Sequence, residues 1–466
     1  MSPYDYDEGF ATDYFNLPFE NSPMPNIVLI DGRSNLESAM ANSSIMRLSR
    51  YALIHPMMCV DGGYPTDFST PRPLEDFLEM GDAQLERIMM AYELGSWNDR
   101  MYQGDLLSPR PSKQYDGNEK GTADQKDAYQ DIEPLPDFDW KTTPPIKNAP
   151  LKPIYHLTMA LENITLSDLI DMDNTYLSRM RIRREIMSSH PAATLQCNPS
   201  CAPAVNELYT WLITTYLPLR FPKVYHATPS GLLNTASDEL IPSTPPSNPL
   251  EALRTLGSHI DTDFLLLLPS STAPDGSPIY HLEAFVTCFP SGFSTRNKLS
   301  LPLSRIHTPV PGYKAKLEKS MDRFFARMEC GRCVKRSNWS LTTNDRLFSE
   351  GGNHLYENGS TDYDHKQEEK LSPEEQIAQQ RAEVKIEDCR LRSERQTLFR
   401  LPETNALVFS FKTYQYRLDE VKGFGEGYAE RLAEAMEGLS KGNVPEIDFY
   451  KRGVVWREKV VEYLRS

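Results

Sequence analysis

The chain reads as an α+β protein, with strands gathered in its middle and late parts and helices before and after them. Three stretches carry that reading. Phe264-Leu265-Leu266-Leu267-Leu268 is an apolar run of strand length, and Tyr280, Leu282, Ala284, Val286 and Cys288 alternate with more polar positions. Leu407, Phe409 and Phe411 alternate with Ser410 and Lys412 in the same two-residue period. Strands grouped in this way, without regular βαβ alternation, argue against a parallel sheet.

Residues 1–102 form a poorly patterned N-terminal extension. Its apolar pieces, Ile27-Val28-Leu29-Ile30 and a helical-looking stretch from Leu74 to Leu94, are interrupted by Pro, Gly, Asn and Asp. Residues 103–152 are rich in Asp, Lys, Gly, Gln and Pro and read as a linker or mobile loop. The pattern tightens over 153–466. Ser167-Asp168 opens a helix that carries Leu169, Asp173, Tyr176, Leu177 and Met180 at helical spacing. Arg179, Arg181, Arg183 and Arg184 follow near its end, where the helix dipole favours cations, and read as a solvated helix end. A second helix runs from Val205 to Leu217 and stops at Pro218. Asp275-Gly276 marks a hairpin between the first two strands. A helix from Gly312 to Glu329 follows, with Leu317, Met321, Phe324, Phe325 and Met328 on one stripe. Residues 348–389 are a polar surface excursion ending in a solvated helix. Tyr428, Leu432, Ala435, Met436 and Leu439 make an amphipathic helix, and Val454 to Leu464 the last one.

Composition narrows the function. The 466 residues can bury a sizeable core, while 36 prolines and a mean hydropathy of -0.52 imply much loop. A net charge of -15 argues against nucleic acid and against an anionic membrane surface as partner. No apolar run approaches the roughly 20 residues of a membrane span, and the acidic start Met1-Ser2-Pro3-Tyr4-Asp5 lacks a signal sequence, so a cytoplasmic location is expected. Seven scattered cysteines do not form a disulfide framework. Cys330-Gly331-Arg332-Cys333 lacks the second half of a zinc site, and Cys197 and Cys201 read as structural thiols. Gly423-Phe424-Gly425-Glu426-Gly427 lacks dinucleotide-loop spacing and reads as a turn leading into a helix. No Walker loop, nucleophile elbow or HExxH is present.

One histidine stands out, in Ser304-Arg305-Ile306-His307-Thr308-Pro309-Val310-Pro311-Gly312. The two prolines stiffen the backbone around His307, which suits an axial metal bond, although a lone histidine is more often a satisfied structural residue than a ligand. Arg336-Ser337-Asn338-Trp339 gathers a guanidinium, an amide and an indole N–H. Arg395-Gln396 stands on a segment that reads as buried. Such arginines bind carboxylates bidentately, whether on a ligand or in an internal Arg–Asp or Arg–Glu bridge.

Asp263-Phe264, Phe289-Pro290-Ser291-Gly292, Lys298-Leu299, Ile306-His307-Thr308-Pro309-Val310-Pro311, Arg336-Ser337-Asn338-Trp339 and Arg395-Gln396-Thr397-Leu398 occur in that order. As a set they resemble the family of the haem-dependent oxidative N-demethylase alpha subunit, over about Pro153 to Ser466. The resemblance implies a PAS-like antiparallel sheet core with flanking helices that binds haem b. It implies oxygen-dependent demethylation of a small secondary amine, through a carbinolamine that breaks down to formaldehyde and the shorter amine. Electrons would come from a separate flavin or iron–sulfur reductase. His307 is the candidate iron ligand. Arg336, Asn338, Arg395 and Gln396 are expected at the propionates or the distal side, with Trp339 as pocket wall; no residue is assigned a catalytic role. The chain departs from the family at Asp261-Thr262-Asp263, where Gln-Glu-Asp is usual, and at Phe293, where Trp is common, and both departures bear on the substrate. Alternatives are a haem-binding sensor without turnover, since a fold does not fix a function, and a partner protein without haem.

Overall fold

The computed structural model describes residues 129–147, 151–356 and 372–466, with Leu53–Ile54, Pro56, Asp67–Thr70, Arg72–Pro73, Gln84, Arg87 and Ile88. The chain divides into two compact units, 1–114 and 115–466. In the first, Leu53–Ile54 pairs antiparallel with Arg72–Pro73, and Arg87 bridges Asp67 at 2.6 Å. The expected apolar piece at Ile27 to Ile30 lies outside the described residues, as does Leu74 to Leu94 apart from three helical residues, Gln84, Arg87 and Ile88.

The second unit is α+β, built on an antiparallel sheet. Its elements in chain order are β1 (Glu162–Ile164), α1 (Tyr176–Ser189), β2 (Leu195–Cys197), α2 (Ala202–Trp211), β3 (Tyr225–Thr228), β4 (Gly231–Asn234), β5 (Glu239–Ile241), α3 (Pro249–His259), β6 (Asp263–Thr272), β7 (Pro278–Val286), α4 (Glu318–Arg327), β8 (Cys333–Thr342), α5 (Pro373–Glu383), β9 (Arg390–Arg400), β10 (Leu407–Arg417), α6 (Tyr428–Glu437) and α7 (Gly453–Arg465). Seven strands pair in the order β1-β8-β9-β10-β6-β7-β2, and β3, β4 and β5 form a separate small sheet. A pleated strand sends alternate side chains to opposite faces, so the large sheet carries two apolar layers. Tyr176, Met180, Leu208, Leu253 and Leu256 from α1, α2 and α3 pack with Phe264, Leu266, Phe399 and Val408 on one face. Met321, Phe325, Leu432, Met436, Trp456 and Val460 from α4, α6 and α7 pack with Leu398 and Leu407 on the other.

Most elements lie where their pattern puts them, and the differences have local causes. The first helix starts at Tyr176, because Leu166–Asp168 forms only a 3-10 turn and the Asp173 carboxylate accepts from the Thr175 N–H at 2.9 Å. The arginines at its end are not all solvated. Arg179 and Arg183, four residues apart, share the inward face with Met180 and Met187, and Arg183 is 0% exposed. Asp263 at 2.7 Å and the carbonyls of Gly257 and Thr262 make that burial tolerable. Pro218 does not stop the second helix. The helix runs on through a wide turn over Leu212–Tyr216 into Leu217–Arg220, and the widened turn accommodates Pro218, which has no N–H to donate. Strand β6 likewise continues past Pro269, which falls within a register irregularity between Leu268 and Ser271. The helix expected from Gly312 to Glu329 breaks at Leu317, whose φ of -120° is not helical.

Residues 129–147 contain no helix or strand, yet they are no free linker. Tyr129 and Ile132 are buried in the first core, and the Trp211 indole donates to the Tyr129 carbonyl at 2.9 Å. The polar segment 348–389 also divides. Its first residues turn back to the protein, where Ser349 bridges Ser291 and Leu355 is buried, whereas α5 has no buried residue and starts with a Ser372/Glu375 capping box.

Candidate functional site

Register decides which polar side chains share a face. Arg336 stands opposite Gln396, which stands opposite Phe411; Asn338 stands opposite Glu394, and Phe409 opposite Leu265. These residues therefore project to the side of α4, α6 and α7. Leu265, Phe409, Gln396, Arg336 and Asn338 are only half-buried, although Leu266, Val408 and Thr397 on the reverse face are buried. A stripe across the central strands thus reaches solvent, apolar at one end and cationic at the other.

Arg395, one residue from Gln396, points the opposite way. It pairs with Asp171 at 2.8 Å and donates to the carbonyls of Asp168 and Leu169. Beside it, Lys412 meets Asp173 at 2.7 Å. Arg395 is therefore held in an internal bridge, away from Arg336, Asn338 and Gln396.

His307 ends the short helix Leu303–Ile306. The Leu303 carbonyl accepts both its backbone N–H, at 3.1 Å, and its ring Nδ1–H, at 2.9 Å. The ring stacks on Tyr313, with centroids 4.7 Å apart and planes at 15°. Gly312 makes that stacking possible. Its φ of +72° turns the chain back, and a Cβ there would meet Val444 Cγ2 at 2.6 Å. The prolines fix the chain that follows, while the helix end and Tyr313 fix the ring. Nε2 makes no hydrogen bond to the described residues. Burial pushes the imidazole pKa down to about 4, the Leu303 bond opposing and the Lys298 and Arg336 charges adding, so the ring is neutral at pH 7.

The cationic end of the stripe is built around Lys451, 5% exposed. Its ammonium donates to the Trp339 carbonyl at 2.5 Å and to Asn338 Oδ1 at 3.3 Å, and lies 5.0 Å from the Tyr155 ring centre and 5.2 Å from that of Trp339. Burial first, then Arg336, lowers its pKa to about 7, with Glu394 opposing. Burial also lowers the pKa of Arg336, whose Nε is buried without a hydrogen-bond partner. Gln396 donates to Glu394 at 3.0 Å, and Trp339 itself is buried beneath Lys451.

Sequence reasoning missed Lys451, Tyr155 and His354. Lys451 follows Tyr450 in what reads as an ordinary turn before α7. His354 falls in the glycine-rich start of the polar excursion. Among the described residues no cluster of three or more His, Cys, Asp or Glu suits a metal ion, and no helix is long and apolar enough to cross a membrane.

The family model described as haem-dependent oxidative N-demethylase, alpha subunit-like, matches residues 160–461. The chain belongs to that family. The match begins before β1 and ends within α7, so it takes in the whole seven-stranded sheet and every residue of the site except Tyr155. Its description names a haem-dependent oxidative N-demethylase.

Proposed function

We propose that the chain is a haem b-binding oxidoreductase on a PAS-like sheet that removes a methyl group from a small secondary amine, using dioxygen and two electrons from a separate reductase. One observation carries this reading: His307 has its Nδ1–H fixed on a backbone carbonyl, its ring clamped and its Nε2 lone pair free. A metal-bound imidazole has this construction, because the bond at the far nitrogen sets the tautomer and orients the ring. The rest of the stripe fits the same group. Leu265 and Phe409 offer apolar contact to a porphyrin plane, and Arg336 and Lys451 offer positive charge to its propionates. Asn338 holds the Lys451 ammonium in place, and Gln396 adds a polar edge.

When bound, haem would supply the reaction with dioxygen that oxidises the methyl group. The chain's own residues would bind and orient. His307 would hold the iron through Nε2, Leu303 would keep the proton on Nδ1, and Tyr313 would prevent ring rotation. The depressed pKa of His307 keeps protons from competing for Nε2 near neutrality. The methyl carbon leaves as formaldehyde, one dioxygen oxygen going into it and the other into water with two protons and two electrons. Those electrons need an outside donor, because the seven cysteines offer no iron–sulfur motif.

The test is direct. The purified full chain loaded with haemin is expected to show a Soret band that His307→Ala loses, and to release formaldehyde from an N-methylated secondary amine when given a reductase and oxygen. A His307→Ala protein that keeps full haem would remove the ligand assignment. Haem without formaldehyde would favour sensing over turnover.

A further inference from the structure

A second imidazole is built like His307. His354 directs Nδ1 at the Gly292 carbonyl, 3.4 Å away, and stacks on Tyr450 with centroids 4.3 Å apart and planes at 20°. Its Nε2 also makes no hydrogen bond to the described residues. The other described histidines differ. His281 bonds through both nitrogens, to Ser271 and to the Ser300 carbonyl. His259 faces Glu239 at 3.7 Å, His190 stacks on Phe348 without a ring hydrogen bond, and His156 and His226 are exposed. The arrangement of a carbonyl on Nδ1, a stacked tyrosine and a free Nε2 thus occurs twice among the described residues.

The loop after β7 is fitted to this ring. Gly292 has φ +75°, and a Cβ there would lie 2.8 Å from His354 Nδ1 and 2.8 Å from Asn353 Cβ. The Gly292 N–H donates to the Ser349 carbonyl at 2.7 Å, and the Leu355 N–H to the Tyr450 carbonyl at 3.0 Å, so His354 is tied on both sides. The same contacts place it at the stripe. Its stacking partner Tyr450 precedes Lys451, whose ammonium reaches Asn338. Lys298 lies within electrostatic reach of both imidazoles, Lys451 and Arg392 of His354, and Arg336 of His307.

We propose that His354 is the second axial ligand, its Nε2 taking the iron position opposite His307 when ferric haem is bound. This rests on the haem reading above. With the proton held on Nδ1, Nε2 presents a lone pair, which suits a metal and not a hydrogen bond to a bound anion. With both imidazoles holding the group, His354 would have to move off to leave room for dioxygen. The Gly292 and Tyr450 contacts, which also hold the ring, set how readily it does so.

The experiment is spectroscopic and uses the full chain loaded with haemin. Wild type is expected to show a low-spin ferric spectrum. His354→Ala is expected to become high-spin while keeping its Soret band, and added free imidazole is expected to restore the low-spin spectrum. His354→Gln, which keeps a polar side chain of similar reach but no imidazole, serves where alanine impairs folding and is expected to be high-spin as well. A high-spin wild type, or a variant with the wild-type spectrum, would overturn the assignment. Wild type with no Soret band would instead sink the haem reading itself.

Discussion

Removing the Asp263 carboxylate tests the packing that holds the Gly292 loop against His354. Asp263 is 1% exposed. Its Oδ1 accepts from Arg183 at 2.7 Å and from the Cys288 N–H at 2.9 Å, and its Oδ2 from the Phe289 N–H at 2.8 Å. Asp263→Ala would strand a guanidinium that is itself 0% exposed, and breaking a buried pair from one side costs about 3–5 kcal/mol. Two orphaned backbone N–H groups each add about 1 kcal/mol after partial relaxation. The sum is about 5–7 kcal/mol, and with a urea m-value of about 3 kcal/mol/M the unfolding midpoint falls by about 2 M. The double variant Arg183→Met with Asp263→Leu no longer buries a lone charge, and is expected to recover about half of that loss. The assay is urea unfolding followed by far-UV circular dichroism on wild type, the single variant and the double variant. A midpoint shift below about 0.3 M for Asp263→Ala, or a double variant less stable than the single one, would refute the reasoning.

Two further predictions concern ionisation and charge. Lys451→Met removes a buried ammonium that has no carboxylate in contact among the described residues, so the haem-free chain is expected to be no less stable, while haemin dissociates about tenfold faster, as measured by transfer to a scavenging globin. If instead Lys451→Met unfolded the haem-free chain and left dissociation unchanged, Lys451 would be structural and not an anchor. The three histidines His259, His307 and His354 have folded pKa values of about 4, about 4 and about 3, each lowered mainly by burial below the ordinary value near 6.5. The folded chain therefore binds fewer protons than the unfolded one between those limits. Stability is fully present above about pH 6.5 and is lost as pH falls towards about 4. Chemical unfolding at pH 7.0, 5.5 and 4.5 is expected to show that decline, and a smaller one in His259→Gln.

The local pattern in the sequence was enough for the elements whose physics is local. The alternating runs at Tyr280 and Leu407 became β7 and β10, the stripe from Tyr428 became α6, and the glycines before Tyr428 ended as the turn that starts it. Interruptions were harder to read. Pro218 and Pro269 look like stops, but a widened helical turn and a strand irregularity absorb them, and both depend on packing further along the chain. The charged residues were hardest, since a charge reads as solvated until a distant partner is known. Arg183 is buried because Asp263 lies 80 residues away in sequence and beside it in space.

The same division runs through the candidate site. Periodicity and ordered motifs are written in neighbouring residues, so the α+β class, the family and His307 as a candidate were legible in the chain alone. Which side chains meet follows from the fold. Strand pleating separates Arg395 from Gln396 on opposite faces, and the start of the polar excursion folds His354 back against Gly292 and Tyr450. A carbonyl one helical turn before His307 fixes which of its nitrogens is free. Pleat, loop return and tautomer each depend on contacts that no short stretch of sequence contains.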